Sequence, residues 1–154
     1  LKWSLFRKLK LLAAQRDVTD IDAIADETLR VLNDPQFAVA FAPGSRAEAG
    51  LVADLPELGE GARINGRIDR LAVTDNEVLI VDFKTNRPPP SREEDLPQIY
   101  RTQMALYRAG ATKIFPGRRI ACALVWTEGP RLMPLSATLL DAELARIAAR
   151  LNAR

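Results

Sequence analysis

The sequence contains no histidine and only one cysteine, and both facts exclude whole classes of active site. Without histidine, the chain cannot form a Ser-His or Cys-His nucleophilic pair or a histidine-ligated zinc site. The single Cys122 excludes an internal disulfide and an iron–sulfur cluster held by four cysteines of this chain. A metal ion bound here must therefore be held mainly by oxygen ligands, which favours a hard cation such as Mg²⁺.

Further absences narrow the class of protein. No GxxxxGK[ST] loop is present, so these 154 residues carry no nucleotide-driven motor of their own. No apolar run approaches the roughly 18 residues that span a bilayer, and no signal-peptide pattern is present. Together with the lone cysteine, these absences predict a cytoplasmic protein in a reducing compartment, without a membrane partner.

The length and composition fit one folded domain with a small positive charge. Of the 154 residues, 47% are hydrophobic, which is enough for a core. The net charge is +2, but residues 61–154 carry fifteen basic and ten acidic side chains. A basic C-terminal two-thirds is compatible with a polyanionic partner. Since the chain begins at Leu1, we also expect it to be a piece of a longer protein.

Apolar periodicity predicts helices before, between and after two groups of strands. Residues 1–16 are predicted to form a basic amphipathic helix, which either packs on the protein or serves as a membrane-surface or nucleic-acid arm. The elements that follow are a helix after Asp20, strands at 47–54, 66–73 and 78–85, a helix from Pro97 that stops at Gly110, strands at 120–126 and 131–135, and a helix over 140–151. This order predicts an α/β fold in which a mixed sheet of about five strands is flanked by helices.

The strand pair at 66–73 and 78–85 carries the most informative pattern. If the turn is centred on residues 75 and 76, facing residues have numbers that sum to 151, so that Asp69 meets Asp82. Period-two alternation then places both aspartates on one face with Arg67, Lys84 and the apolar residues nearer the turn.

Two carboxylates that face each other in a sheet repel, so the pair is costly unless a cation lies between them. Leu79, Val81 and Phe83 fill the opposite face, which indicates a hairpin buried on both sides. Charges at the end of such a strand need partners. The pattern therefore leaves two interpretations open, a metal site with a lysine beside it and a solvated hairpin face that carries ordinary surface charges.

Three segments around these residues resemble the motifs of one nuclease superfamily. Residues 66–70 (GRIDR) resemble the G-x-x-D motif of the PD-(D/E)XK nucleases, and residues 81–85 (VDFKT) resemble their D-x-K motif. Residues 103–107 (QMALY) match the Q-x-x-x-Y motif of the RecB-like branch, and the whole is most similar to the C-terminal nuclease domain of AddA-type helicase–nucleases. The resemblance covers residues 17–154 and leaves residues 1–16 as an unmatched N-terminal extension.

The resemblance implies a restriction-endonuclease-like fold and a metal site. Asp69 and Asp82, helped by the backbone carbonyl of Phe83, would ligate Mg²⁺, for which Mn²⁺ is expected to substitute. Lys84 would orient the attacking water and stabilise charge on the scissile phosphate.

The resemblance also implies roles outside the metal site. Gln103 and Tyr107 lie one helical turn apart, where they would position DNA or brace the site, although an ordinary pair on a helix surface has the same spacing. Tyr100 shares that helical face, and it would contact DNA together with Arg67 and Thr85.

One position departs from the family pattern. RecB-type relatives often place a histidine upstream as a further metal contact, and this chain has none. Glu48 is the candidate for that position, since AddA-like sequences carry an acid there. The alternative is a capping box between Ser45 and Glu48, which have the Ser-x-x-Glu spacing of that motif.

These observations predict a Mg²⁺-dependent deoxyribonuclease, with exonuclease action favoured over endonuclease action. Its expected partners are DNA, the helicase domains of a longer chain and a second subunit of a helicase–nuclease in double-strand-break repair and recombination. Two alternatives remain, a catalytically inactive nuclease fold that binds DNA and a protein-interaction module.

Overall fold

The computed structural model describes residues 29, 33, 35–84, 88–126 and 131–153. Their strands are β1 (Arg46–Asp54), β2 (Arg63–Val73), β3 (Glu77–Lys84), β4 (Arg119–Trp126) and β5 (Arg131–Leu135), and their α-helices are α1 (Gln98–Ile114) and α2 (Ala137–Asn152). Short 3-10 helices occupy Pro35–Phe41, Pro56–Leu58 and Glu93–Asp95. The helix expected over residues 1–16, most of the helix expected after Asp20, and Thr85 lie outside the described residues.

The five strands form one mixed sheet in the order β1-β2-β3-β4-β5. Neighbouring strands are antiparallel except β3 and β4, which are parallel. A parallel pair needs a crossover connection, and α1 supplies it between β3 and β4. The expected α/β architecture, a mixed five-stranded sheet with helices, is confirmed.

The central strands are buried on both faces, as the sequence predicts. On one face, Val78 and Ile80 pack in a large core with α1 and α2. On the other face, Val81 belongs to a smaller core with Ala40 of the first 3-10 helix. Asp82 therefore lies in a strand whose neighbouring side chains are withdrawn from water on both sides.

Gly110 does not end α1, contrary to the expectation from its position. The helix continues to Ile114, and Gly110 lies where α1 packs closely on the first two strands. A Cβ atom at this position would lie 3.0 Å from Cγ2 of Ile64 and 3.3 Å from Cδ2 of Leu51. The glycine costs about 1 kcal/mol of helix propensity relative to alanine, but it allows the helix to approach the sheet.

The pairing of β1 with β2 is interrupted at one position in each strand. The ladder pairs Ala49 with Ile68 and Ala47 with Arg70, and the register omits Glu48 and Asp69 between them. Glu48 has φ +53°, in the left-handed region that non-glycine residues rarely adopt. Such a conformation costs on the order of 1–3 kcal/mol and is typical of functional sites.

The interruption also changes which side chains of β2 face the core. Ile64 and Ile68 contribute to the large core, and so does Leu71, although strict alternation would turn Leu71 away. The expectation that Arg67 and Leu71 share a face is therefore wrong. Arg67 is exposed and Leu71 is buried, because the interruption at Asp69 shifts the alternation by one residue.

Neither α-helix of the described residues combines the length and the apolar character that crossing a bilayer requires.

Replacing Gly110 with valine is expected to lower the free energy of unfolding by about 1–3 kcal/mol, because the added side chain overlaps Ile64 and Leu51. Chemical denaturation measures the change. Gly50→Val is the matched control, since a Cβ at Gly50 meets nothing within 4 Å. Equal stability of the two variants would contradict the close helix–sheet approach.

Candidate active site

The carboxylate of Asp82 is the centre of a polar cluster at the end of β3. The residue is 3% exposed, and it is one of two buried acids among the described residues. Its Oδ1 accepts a hydrogen bond from Nε2 of Gln103 at 3.1 Å. Its Oδ2 forms an ion pair with Nζ of Lys84 and has no other hydrogen-bond partner among the described residues.

Burial and charge act in opposite directions on Asp82. Burial raises the pKa of this carboxyl above its usual range, the hydrogen bonding and charge of Lys84 lower it, and the nearby carboxylate of Asp69 raises it again. The net direction is upward, so the negative charge is incompletely compensated here. An additional cation would stabilise the ionised form.

Lys84 contacts Asp82, Gln103 and Tyr100. It is itself largely buried, with 12% of its side chain exposed. Besides Asp82, its Nζ donates to Oε1 of Gln103 at 3.0 Å and lies 4.2 Å from the ring centre of Tyr100. The side-chain amide of Gln103 thus bridges the lysine and the aspartate. Because Tyr100 and Gln103 share a face of α1, the helix closes the site from one side, as the motif spacing predicts.

Asp69 lies near Asp82 because of a hydrogen bond that the sequence does not predict. In the described hairpin, the β2–β3 register runs from Val73↔Val78 to Arg70↔Val81, which confirms the predicted sum of 151. The ladder ends there, so the expected direct pairing of Asp69 with Asp82 is wrong. Instead, Oδ2 of Asp69 accepts a hydrogen bond from the backbone N–H of Phe83 at 2.9 Å.

Tyr107 connects the helix to β2. Its hydroxyl donates to the carbonyl oxygen of Arg67 at 2.7 Å, while Nε2 of Gln103 lies 3.3 Å from the same hydroxyl. The ring packs directly on Gly66, where a Cβ would stand 2.7 Å from Cε1 of Tyr107. The glycine of the G-x-x-D motif therefore makes room for the tyrosine of the third motif.

Glu48 and Arg67 lie apart from this cluster. The Glu48 side chain is 63% exposed, and its Oε2 lies 3.5 Å from Nη1 of Arg67. Within the described ranges, no three acidic, histidine or cysteine side chains come together as a ready metal site. The alternative capping box is wrong, since Ser45 precedes a strand and its Oγ makes no hydrogen bond.

The residues present fit a divalent cation that keeps water or phosphate ligands. Mg²⁺ is commonly held by one or two carboxylates, with the remaining positions filled by water and substrate phosphate. Asp69 and Asp82 supply two carboxylates, and Oδ2 of Asp82 is a buried oxygen that has no polar partner besides Lys84 among the described residues. Lys84 currently lies against this oxygen, so metal binding requires the ammonium group to withdraw from it.

Sequence reasoning missed two residues that shape this region. Gly66 belongs to the G-x-x-D motif, but its contact with Tyr107 was not predicted; the signal available in the sequence was the glycine itself. Glu143 of α2, the second buried acid, was also missed. It lies three residues after Leu140 and four before Ile147, so a carboxylate on the apolar stripe of that helix was the available signal.

Residues 5–149 match the family described as the PD-(D/E)XK nuclease superfamily. The chain belongs to this superfamily. The three motifs that resembled it in sequence are thus placed in a matching domain, and two of them contribute to one buried polar cluster with Asp69 nearby.

One solved structure supports the fold. A candidate exonuclease of Eubacterium rectale superposes with a TM-score of 0.61 at 15% identity, covering 88% of this chain and 53% of that one. The chain therefore spans about half the length of that protein. A second structure, SSO0001, gives a TM-score of 0.41 at 14% identity, with 95% and 70% of the two chains covered. No curated protein matches the sequence.

Replacing Gly66 with alanine is expected to displace the Tyr107 ring and break its hydrogen bond to the Arg67 carbonyl. The buried polar groups left without partners should lower the free energy of unfolding by about 1–3 kcal/mol. Thermal or urea unfolding measures this loss. Gly50→Ala, in the neighbouring strand and in open space, should be close to neutral. An unfolding midpoint for Gly66→Ala equal to that of the control would refute the close packing.

Proposed function

We propose that the chain is a divalent-metal-dependent DNA nuclease whose active site contains Asp69, Asp82 and Lys84. The observation that carries the proposal is the buried Asp82 carboxylate, which is held between Lys84 and Gln103 and destabilised by its burial and by Asp69. Membership in the nuclease superfamily supports the same reaction class. The proposed cofactor is Mg²⁺, with Mn²⁺ as a substitute.

The proposed reaction is hydrolysis of a phosphodiester. Water adds to the phosphorus, the bond to the 3′ oxygen breaks, and the products are a 5′ phosphate and a 3′ hydroxyl. Asp69, Asp82 and the carbonyl of Phe83 would hold the metal ion. When bound, the ion supplies a water of lowered pKa and polarises a phosphoryl oxygen.

Lys84 and Gln103 supply the remaining electrostatics in this proposal. If the ammonium group of Lys84 withdraws from Asp82, it would be available to the phosphate that binds beside the two aspartates. There it orients the water and stabilises negative charge on the phosphate. Gln103 holds both side chains in register, and Tyr107 braces β2 against α1 rather than contacting DNA, since its hydroxyl is already bonded on both sides.

The proposed DNA contacts are Tyr100, whose ring lies beside Lys84, and Arg67, whose side chain is 72% exposed. Thr85, the other proposed contact, directly follows Lys84. Exonuclease action, and a place next to helicase domains and a second subunit in double-strand-break repair, are proposals that rest on the similarity of the motifs to AddA-type nucleases. Because the sequence has no phosphate-binding motor loop, processive degradation would need such a motor.

Lys84→Ala is expected to slow cleavage of a labelled DNA duplex at least about a hundredfold, because a charge that acts on the scissile phosphate is lost. Wild-type cleavage should require Mg²⁺ or Mn²⁺ and stop with EDTA. Binding of the same duplex, measured by anisotropy in EDTA, should change little.

The matched control is Lys113→Ala, which removes a lysine ion-paired with Glu57, away from the polar cluster. It should cleave at the wild-type rate. Circular dichroism must show that both variants fold, and Lys84→Gln serves if the alanine variant does not. If the wild-type chain binds DNA without metal and gives no cleavage products with metal, it is an inactive binding module. If both Lys84 variants cleave at the wild-type rate, the catalytic role of Lys84 is refuted.

Glu48 is proposed as a third metal ligand, which requires its exposed side chain to turn from Arg67 towards Asp69, the residue at the same interruption of the β1–β2 ladder. Glu48→Gln should then raise the Mg²⁺ concentration needed for half-maximal cleavage at least about tenfold. Glu57→Gln, an acid paired with Lys113, is the control. An unchanged Mg²⁺ requirement for Glu48→Gln would remove it from the ligand set.

A further inference from the structure

The second buried acid, Glu143, lies at the contact between the two helices. It belongs to α2 and is 6% exposed. Arg146, one turn along the same helix, donates to both of its oxygens at 3.1 and 2.8 Å. The hydrogen bonds from Arg146, and those from α1, hold the pKa of Glu143 at about 2, although burial acts to raise it. The carboxylate is therefore ionised at neutral pH.

Glu143 also binds the first two turns of α1. Nε2 of Gln98 donates to its two oxygens at 3.1 and 3.0 Å, and Oγ1 of Thr102 donates at 2.5 Å. Gln98 and Thr102 are four residues apart, so they lie on one face of the helix. A single carboxylate on α2 thus fixes two successive turns of α1 on the side that faces α2.

The same two turns carry the residues that close the active site. Tyr100 lies between Gln98 and Thr102, and Gln103 directly follows Thr102. Successive residues of a helix are rotated by about 100°, so Gln103 points towards β3 when Thr102 points towards α2. Any rotation of α1 about its axis that releases Thr102 moves Gln103 away from Asp82 and Lys84.

We propose that Glu143 is a positioning residue of the active site, which sets the rotation of α1 and so holds the Gln103 amide between Asp82 and Lys84. This inference rests on the proposed function. It assigns a role to a residue outside the three motifs, at a distance from the reacting atoms and acting only through Gln103.

A double-mutant cycle tests the coupling. Glu143→Ala and Gln103→Ala should each lower kcat by about ten- to a hundredfold, since small displacements of a catalytic constellation have effects of that size. The double variant should be no slower than Gln103→Ala alone, because Glu143 acts through that side chain. Losses that multiply in the double variant would overturn the proposal. If Glu143→Ala does not fold, Thr102→Val replaces it in the cycle and should behave in the same way.

The matched control is Asp141→Asn, which removes the ion pair between Asp141 and Arg108. This pair also joins α2 to α1, but at a later turn of α1 than Gln103. Its loss should leave kcat unchanged even if the melting temperature falls. If Asp141→Asn lowers kcat as much as Glu143→Ala does, general helix docking rather than Glu143 controls the site, and the proposal is wrong.

A measurement without substrate separates this inference from the proposed nuclease activity. In wild type, the Gln103 side-chain amide donates to Asp82, so its NMR resonances should be shifted and protected from exchange. Thr102→Val should shift these resonances and lose the protection, whereas Asp141→Asn should leave both unchanged. Unaltered Gln103 resonances in Thr102→Val would overturn the positioning role whether or not the chain cleaves DNA. Absence of cleavage by the wild type, with the NMR result as expected, would instead refute the proposed function.

Discussion

The structure around the candidate site depends on one buried charge, the carboxylate of Asp82. An ionised carboxylate in a strand covered on both faces is expensive unless donors or cations surround it. Lys84 and Gln103 provide these contacts, and Gln103 can do so only if α1 crosses the sheet at the right position. The crossover that makes β3 and β4 parallel therefore also closes the site. Both the fold and the site therefore require α1 to cross the sheet at the end of β3.

The break in the β1–β2 ladder is the second element of this arrangement. In a regular ladder, Asp69 would be fixed opposite Glu48. Because both residues are omitted from the register, Asp69 turns to the Phe83 amide, next to Asp82. The strained backbone of Glu48 is the local cost of bringing a second carboxylate to the site. Tyr107 fixes β2 two residues before this break, through the Arg67 carbonyl, so the position of Asp69 is held from the helix as well.

Much of the fold was predictable because hydrophobic periodicity reports directly on buried faces. The order of the described elements and the hairpin register follow from alternation and from the turn at 75–76, and both are confirmed. Alternation failed at Asp69, since period-two reasoning assumes an uninterrupted strand and nothing in the sequence marks Glu48 for a left-handed conformation. The prediction that α1 ends at Gly110 was wrong for a related reason. A glycine in a helix signals either an end or a close approach, and only the packing against Ile64 distinguishes the two.

The two buried acids show why burial alone does not identify a functional carboxylate. Glu143 accepts hydrogen bonds from three side chains, and its pKa is held at about 2, so its charge is fully stabilised by the protein. Asp82 is similarly buried, but its pKa is raised, and its Oδ2 has no polar partner besides Lys84 among the described residues. A carboxylate stabilised in the way that Glu143 is would be stabilised little further by a bound cation. Such a group is suited to a structural role. A carboxylate such as Asp82, whose charge the protein stabilises only in part, is stabilised further when a cation binds. This is the property expected of a metal ligand in the absence of its metal.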